Sequence, residues 1–162
     1  MATASHPAVE FMEVTSPEHI EQARELFLEY ASSLGFSLCF QNFDAEVRTL
    51  PGAYAAPSGR LFLAFSGGEV AGCIGLRPLE PSICEMKRLY VRPAFRGMGI
   101  GMMLVERLIA EARSIGYERM RLDTVAASMQ LAVALYRRRG FRDIAPYRSN
   151  PLAGVIYLEL AL

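Results

Sequence analysis

The sequence predicts an α/β sandwich built on a mixed sheet, and three patterns in its 162 residues carry that prediction. From Ile83 onward, strand-like and helix-like segments alternate, which lays helices against a shared sheet. Upstream, two strand-like runs, Arg60 to Phe65 and Glu69 to Arg77, are split by Ser66-Gly67-Gly68, a hairpin signal. Before them, Ile20, Ala23, Phe27, Tyr30, Ala31 and Leu34 recur at helical spacing, so one helix face packs on the sheet.

Taken in order, residues 1 to 8 are small and polar around Pro7 and predict a frayed end. Val9 to Val14 reads as the first strand. Ser16-Pro17 supplies an N-cap and first-turn pair for the helix that Gly35 stops. A second, short helix over Phe43 to Leu50 is closed by Pro51-Gly52, and Pro78 and Pro81 bound the turn after the hairpin. The strand from Ile83 ends by Arg92, because Pro93 has no amide hydrogen to give a ladder. Ile100, Met103, Leu104, Leu108, Ala112 and Ile115 then trace one face of a long helix ending at Gly116. Met120 to Thr124 is a short strand, residues 128 to 139 a helix capped by Ser128 and ended by Gly140, and Val155 to Leu160 the last strand. No repeat or linker interrupts the chain, so a single domain over 1–162 is predicted.

Bulk properties exclude several functions. The 17 basic and 17 acidic residues cancel, so charge implies neither a nucleic-acid nor a membrane-surface partner. Every basic residue but Lys87 is arginine, a bias spread along the whole chain and therefore compositional. Cys39, Cys73 and Cys84 show no C-x-x-C spacing, and His6 and His19 lie far from them, which argues against zinc and against a disulfide framework. A reduced, cytoplasmic protein without a bound metal is expected, since no export signal or membrane-length apolar run is present.

The chemistry-bearing stretch is residues 83 to 104, a β-branched and aromatic strand, a basic glycine-rich turn and a helix start. Gly97, Gly99 and Gly101 remove every second Cβ, so backbone N–H groups of residues 97 to 101 can close on a ligand. The helix N-terminus adds partial positive charge and Arg96 a full one, which suits a phosphate. Met102-Met103 after Gly101 rules out a Walker loop, which needs Lys-Ser/Thr there. A dinucleotide fingerprint fits poorly, because G-x-G-x-G replaces G-x-G-x-x-G and too little chain follows, although Asp123 lies near the ribose-binding distance.

Arg96-Gly97-Met98-Gly99-Ile100-Gly101 resembles the R/Q-x-x-G-x-G/A pyrophosphate loop of the GNAT superfamily of acyl-CoA-dependent N-acetyltransferases. The preceding Glu85-x-x-x-Leu89-x-Val91 resembles that family's central strand. Ala132-x-x-Leu135-Tyr136-x-x-x-Gly140-Phe141 resembles its late helix and following strand. Met129 departs from the pattern, standing where many members carry Asn. The resemblance implies a mostly antiparallel sheet of roughly six or seven strands, splayed at its central strands and flanked by about four helices.

It also implies acetyl transfer from acetyl-CoA to a primary amine by direct attack in a ternary complex. The cofactor would be held by Leu89, Tyr90 and Val91 on the strand and by Arg96, Gly97, Met98, Gly99, Ile100 and Gly101 in the loop. Three demands follow from the chemistry. The amine, with a pKa of ~10.4 when lysine-like, must lose a proton; developing charge on the carbonyl oxygen must be met; and the thiolate must be protonated. Tyr136 matches the family's helix tyrosine and is the candidate acid, against the alternative of an aromatic packed on the helix's apolar face. Glu85 is the candidate base, placed on the face of Leu89 and Val91 by two-residue periodicity, against the alternative of an ion pair with Lys87 or an arginine. Tyr30, Phe36, Tyr147 and Asn150 are candidate acceptor-site residues. Arg137, Arg138 and Arg139 form a basic run that reads first as a solvated face. The acceptor is a small molecule or a peptide, and a homodimer is left open as the assembled state. The rival reading is a non-catalytic acyl-CoA-binding or sensing module, since the loop would bind cofactor whether or not chemistry follows.

Overall fold

A computed structural model describes residues 7–38 and 42–162, so most of the frayed end and Cys39 lie outside the described residues. The strands are β1 (Val9–Glu13), β2 (Arg60–Ser66), β3 (Glu69–Glu80), β4 (Ile83–Val91), β5 (Arg119–Val125), β6 (Arg142–Asp143) and β7 (Val155–Ala161). They form one seven-stranded sheet in the order β1-β2-β3-β4-β5-β7-β6. Only β4 and β5 pair in parallel, so the sheet is mixed and mostly antiparallel, as the sequence predicts. The helices are α1 (Pro17–Ser33), α2 (Phe43–Arg48), α3 (Ile100–Ile115) and α4 (Gln130–Arg139). None of the described helices is long and apolar enough to cross a membrane.

Strand β2 shows how the layers assemble. Leu61 and Leu63 point to one face, in a cluster with Ala23, Leu26 and Phe27 of α1. Phe62 and Ala64 point to the other, with Leu104, Leu108 and Ala112 of α3. That alternation is the period of a strand buried on both sides, and each leucine so buried contributes about 1.5 to 3 kcal/mol. Helix α1 starts where the sequence places it, with the Ser16 side chain accepting from the His19 N–H at 3.2 Å and Pro17 in the first turn.

Four expectations are corrected. Met103 is 40% exposed, while Val105 and Ile109 are buried, because the stripe that meets the sheet runs along the other flank of α3. Pro78 does not bound a turn; it lies within β3 opposite Cys84, beside an irregularity in the register where a missing N–H is tolerated. Ser128 is not the cap of α4, which begins at Gln130 after Met129 with no side-chain capping bond. Within β4, the period of two breaks at Arg88, which takes a left-handed φ of 61° where the pairing with β3 shifts. Cys84 and Met86 therefore share the α3-side cluster with Leu89 and Val91, and Glu85 does not lie on their face.

Two central strands part company. β4 and β5 pair only through Ile83–Arg119, Cys84–Met120 and Glu85–Arg121. Beyond that point β5 continues on β7 as far as Val125, and β4 continues on β3 as far as Val91. A wedge opens between them, the splay expected at the sheet centre.

The spacing of β3 and β4 beside this wedge leaves no room at Gly72. A Cβ there would lie 2.6 Å from the Tyr90 carbonyl oxygen, a backbone atom that cannot swing aside, and 3.3 Å from Leu104 Cδ1. Gly72→Ala should therefore destabilise the protein by about 1 to 3 kcal/mol, the usual cost of overpacking. Urea denaturation measures this directly, and an unchanged midpoint would show that the two strands relax freely.

Candidate active site

The glycine loop meets the geometry that anion binding needs. Gly97 and Gly99 adopt φ of 81° and 80°, a region that other residues reach only with strain, and a Cβ at either would meet nothing within 4 Å. The first bond of α3 runs from the Met103 N–H to the Gly99 carbonyl at 3.1 Å, so the amides of Ile100, Gly101 and Met102 precede the ladder. These open glycines and leading amides form a cradle that fits a pyrophosphate. Gly101 acts differently from the other two: it sits inside α3, where a Cβ would come 3.7 Å from Leu135 and 3.9 Å from Val91. It thereby seats the helix start beside the end of β4. Arg96 lies over the Tyr90 ring at 5.8 Å and donates from Nε to the Val91 carbonyl at 2.9 Å, which holds the loop to the same strand end. Met98, Leu89 and Val91 each pack against the α3-side cluster.

At the wedge lies a cavity of about 50 Å³. Three of the candidate acceptor residues, Tyr30, Phe36 and Asn150, line it. Tyr147 does not; its hydroxyl donates to Glu85 at 2.7 Å, and its ring stands edge-on to Tyr157. The cavity wall also carries Lys87, Arg88 and Asp123, none of which was singled out as a site residue. A signal was present in the sequence: Glu85, Lys87 and Arg88 put three charges into a central strand, where apolar runs are the rule.

Charge around the cavity is organised into one network. Glu85, with a side chain 0% exposed, is held by Arg77 at 2.9 Å and by Arg148. Arg88 forks onto both oxygens of Glu46, at 2.9 and 3.1 Å, and lies 5.1 Å from the Phe43 ring centre. Asp123 lies 3.7 Å from Lys87, 3.9 Å from Arg148 and 3.3 Å from the Asn150 amide. Burial pushes the Glu85 pKa up, but Lys87, Arg77 and Arg148 outweigh it and hold the carboxyl below its ordinary range. Burial pulls the Lys87 ammonium down to about 8, with Glu85 opposing the fall.

Tyr136 is buried with its ring 5.7 Å from that of Phe141. Burial, with Tyr30 adding, raises its pKa well above the ordinary tyrosine value. In the basic run, Arg137 pairs with Asp143 at 3.1 Å and Arg139 pairs with Glu106.

Comparison with known proteins places this arrangement among relatives. The model of the Acetyltransferase (GNAT) family matches residues 20–141. An uncharacterized N-acetyltransferase of Schizosaccharomyces pombe is 37% identical over 92% of both chains. Among solved structures, a GNAT-family acetyltransferase of Staphylococcus aureus superposes with a TM-score of 0.77 at 20% identity, over 95% of this chain and 99% of that one. A GNAT-family acetyltransferase of Elizabethkingia anophelis, solved with acetyl-CoA bound, superposes with a TM-score of 0.66 at 23% identity over 95% of this chain and 98% of that one.

The network makes Glu85 a stabilising anion. Glu85→Gln leaves Arg77 and Arg148 without their shared partner, and because those side chains are 24% and 22% exposed the expected loss is about 3 kcal/mol at pH 7, the low end for a broken buried pair. Its folded pKa is depressed, so the stabilisation is complete above the ordinary value of 4.5 and fades as pH falls through the folded value. Urea titrations of both proteins should show the gap closing under strongly acidic conditions; a gap independent of pH would place the effect in packing.

Proposed function

The chain belongs to the GNAT family and is an acetyltransferase, and from that premise we propose that it carries acetyl from acetyl-CoA to a primary amine by direct attack in a ternary complex. The observation that supports this reading is the parting of β4 and β5 after three residue pairs, beside the glycine-led start of α3. A β4 edge without its neighbour offers backbone groups with which an amide-containing arm can pair as an added strand would. In this proposal the backbone of Leu89, Tyr90 and Val91 receives the pantetheine arm, and Arg96 with residues 97–101 receives the pyrophosphate.

When bound, acetyl-CoA supplies the activated thioester. The chain's own groups do the rest. Backbone N–H groups of β4 that face the wedge meet the charge developing on the carbonyl oxygen. Tyr136, protonated at neutral pH as any tyrosine is, donates to the departing thiolate. Glu85 is fully buried, does not line the cavity and is a weak base, since its pKa is lowered. We therefore assign it to anchoring Tyr147 and Arg148, with the amine entering unprotonated; the proton its nitrogen sheds after attack passes to solvent, from which the Tyr136 hydroxyl regains the one it gives to the thiolate. Tyr30, Phe36 and Asn150 line the acceptor's side of the cavity.

Two substitutions test the assignment. Gly99→Val forces a branched side chain to φ of 80° and fills the open space of the cradle; acetyl-CoA affinity should fall at least ~10-fold in a protein that remains folded. Calorimetry giving wild-type affinity for the folded variant would remove the loop from cofactor binding. Tyr136→Phe deletes only the hydroxyl, so acetyl-CoA affinity should hold while kcat drops by ~10² to 10⁴, about 3 to 5 kcal/mol of barrier. Undiminished kcat, with chemistry shown to be rate-limiting, would make Tyr136 a packing residue.

A further inference from the structure

The cavity is surrounded by more positive charge than acetyl transfer to a plain alkylamine requires. Around it, among the described residues, Arg77, Lys87, Arg88 and Arg148 are linked within 4 Å to Glu46, Glu85 and Asp123, so four cations share three anions. The side chains of Lys87 and Arg88 are 5% and 2% exposed, and that of Asp123 is 3% exposed. Lys87 is paired with Asp123 and Arg88 with Glu46, while Arg77 and Arg148 share Glu85, so the network as a whole carries one more positive than negative charge, which an anion placed in the cavity offsets.

We propose that the acceptor is a small amine bearing a carboxylate beside its amino group, as a free α-amino acid does, with Lys87 and Arg88 recognising the carboxylate. The inference rests on the acetyltransferase reading above. Asp123 lies on the same cavity wall and would accept from the amine hydrogens through a lone pair left beside its bonds to Lys87 and Asn150. Charge matching also selects the reactive form. The unprotonated amine with its carboxylate carries one negative charge, equal to the cation surplus, whereas the unreactive zwitterion carries none. Leu34, Phe36, Leu38 and Met129 line the rest of the cavity and suit an apolar side chain. Its size of about 50 Å³ is far below the ~300 Å³ of a pocket that encloses a drug-sized ligand. It holds the amine end and its immediate substituents.

The test compares leucine, leucinamide and 3-methylbutylamine, three acceptors that share an apolar branch and differ in the carboxylate. Thiol release from acetyl-CoA is followed, with rates compared at equal concentrations of unprotonated amine. Leucine should exceed both others in kcat/KM by about tenfold or more, the effect of removing one anion from a buried, net-positive charge network. Lys87→Met should bring leucine and leucinamide to within about threefold of one another without changing acetyl-CoA affinity. Lys87→Arg, which keeps the charge, should retain the preference and covers the case in which the methionine variant does not fold. Parity of leucinamide with leucine in the wild-type protein, or discrimination that survives in folded Lys87→Met, overturns the proposal. Turnover confined to amines without a carboxylate overturns it while leaving the acetyltransferase reading in place. Failure of every amine, despite tight acetyl-CoA binding, removes both.

Discussion

The parting of β4 from β5 is the constraint on which the rest of the molecule depends. Each strand is held away from the other by its outer neighbour: β5 is laddered to β7 along its full length, and β4 to β3 as far as Val91. Beyond the Glu85–Arg121 pair the inner edges of the two strands no longer pair with each other. Backbone groups left facing the gap need partners, and a ligand that brings its own amides can supply them. Gly101 seats the start of α3 against Val91 and Leu135, which places the leading amides of α3 beside the same gap. One strand separation thus brings together an open glycine turn, a strand edge and a cavity.

A second cost is paid inside β4. Glu85, Lys87 and Arg88 occupy the middle of a buried strand, where apolar residues of similar size would often be as stabilising or more so. Their charges are tolerated because four other parts of the chain supply partners: Arg77 from β3, Glu46 from α2, Asp123 from β5 and Arg148 from the segment before β7. Arg88 in addition holds a left-handed backbone conformation, which costs on the order of 1 to 3 kcal/mol for a residue with a side chain. The bulge turns Lys87 and Arg88 toward the same cavity. Strain and buried charge therefore coincide at the point where the two central strands separate.

Much of this was legible without coordinates. The strands and helices follow from apolar periodicity and from local stops such as Pro93, Gly116 and Gly140, and the open turn before α3 follows from Gly97 and Gly99, because these depend on residues close together in the chain. Errors arose where a local pattern had more than one reading. Met103 fits a helical stripe as well as Val105 does, and only the sheet beneath α3 decides which flank is buried. Ser128 is a good cap by type, yet α4 begins after it.

The sequence by itself determined the order of elements, the loop that suits a phosphate and the tyrosine of the late helix, since each is written in short-range spacing. Tertiary structure alone decided the environment of Glu85. Its strand face depends on a bulge at Arg88, and its charge state depends on Arg77 and Arg148, which approach from β3 and from a segment 63 residues away. It also decided that Lys87, Arg88 and Asp123 share a cavity wall with Tyr30 and Asn150. Electrostatics and register are properties of neighbours in space, and no period along the chain encodes which distant charges will meet across a parted sheet.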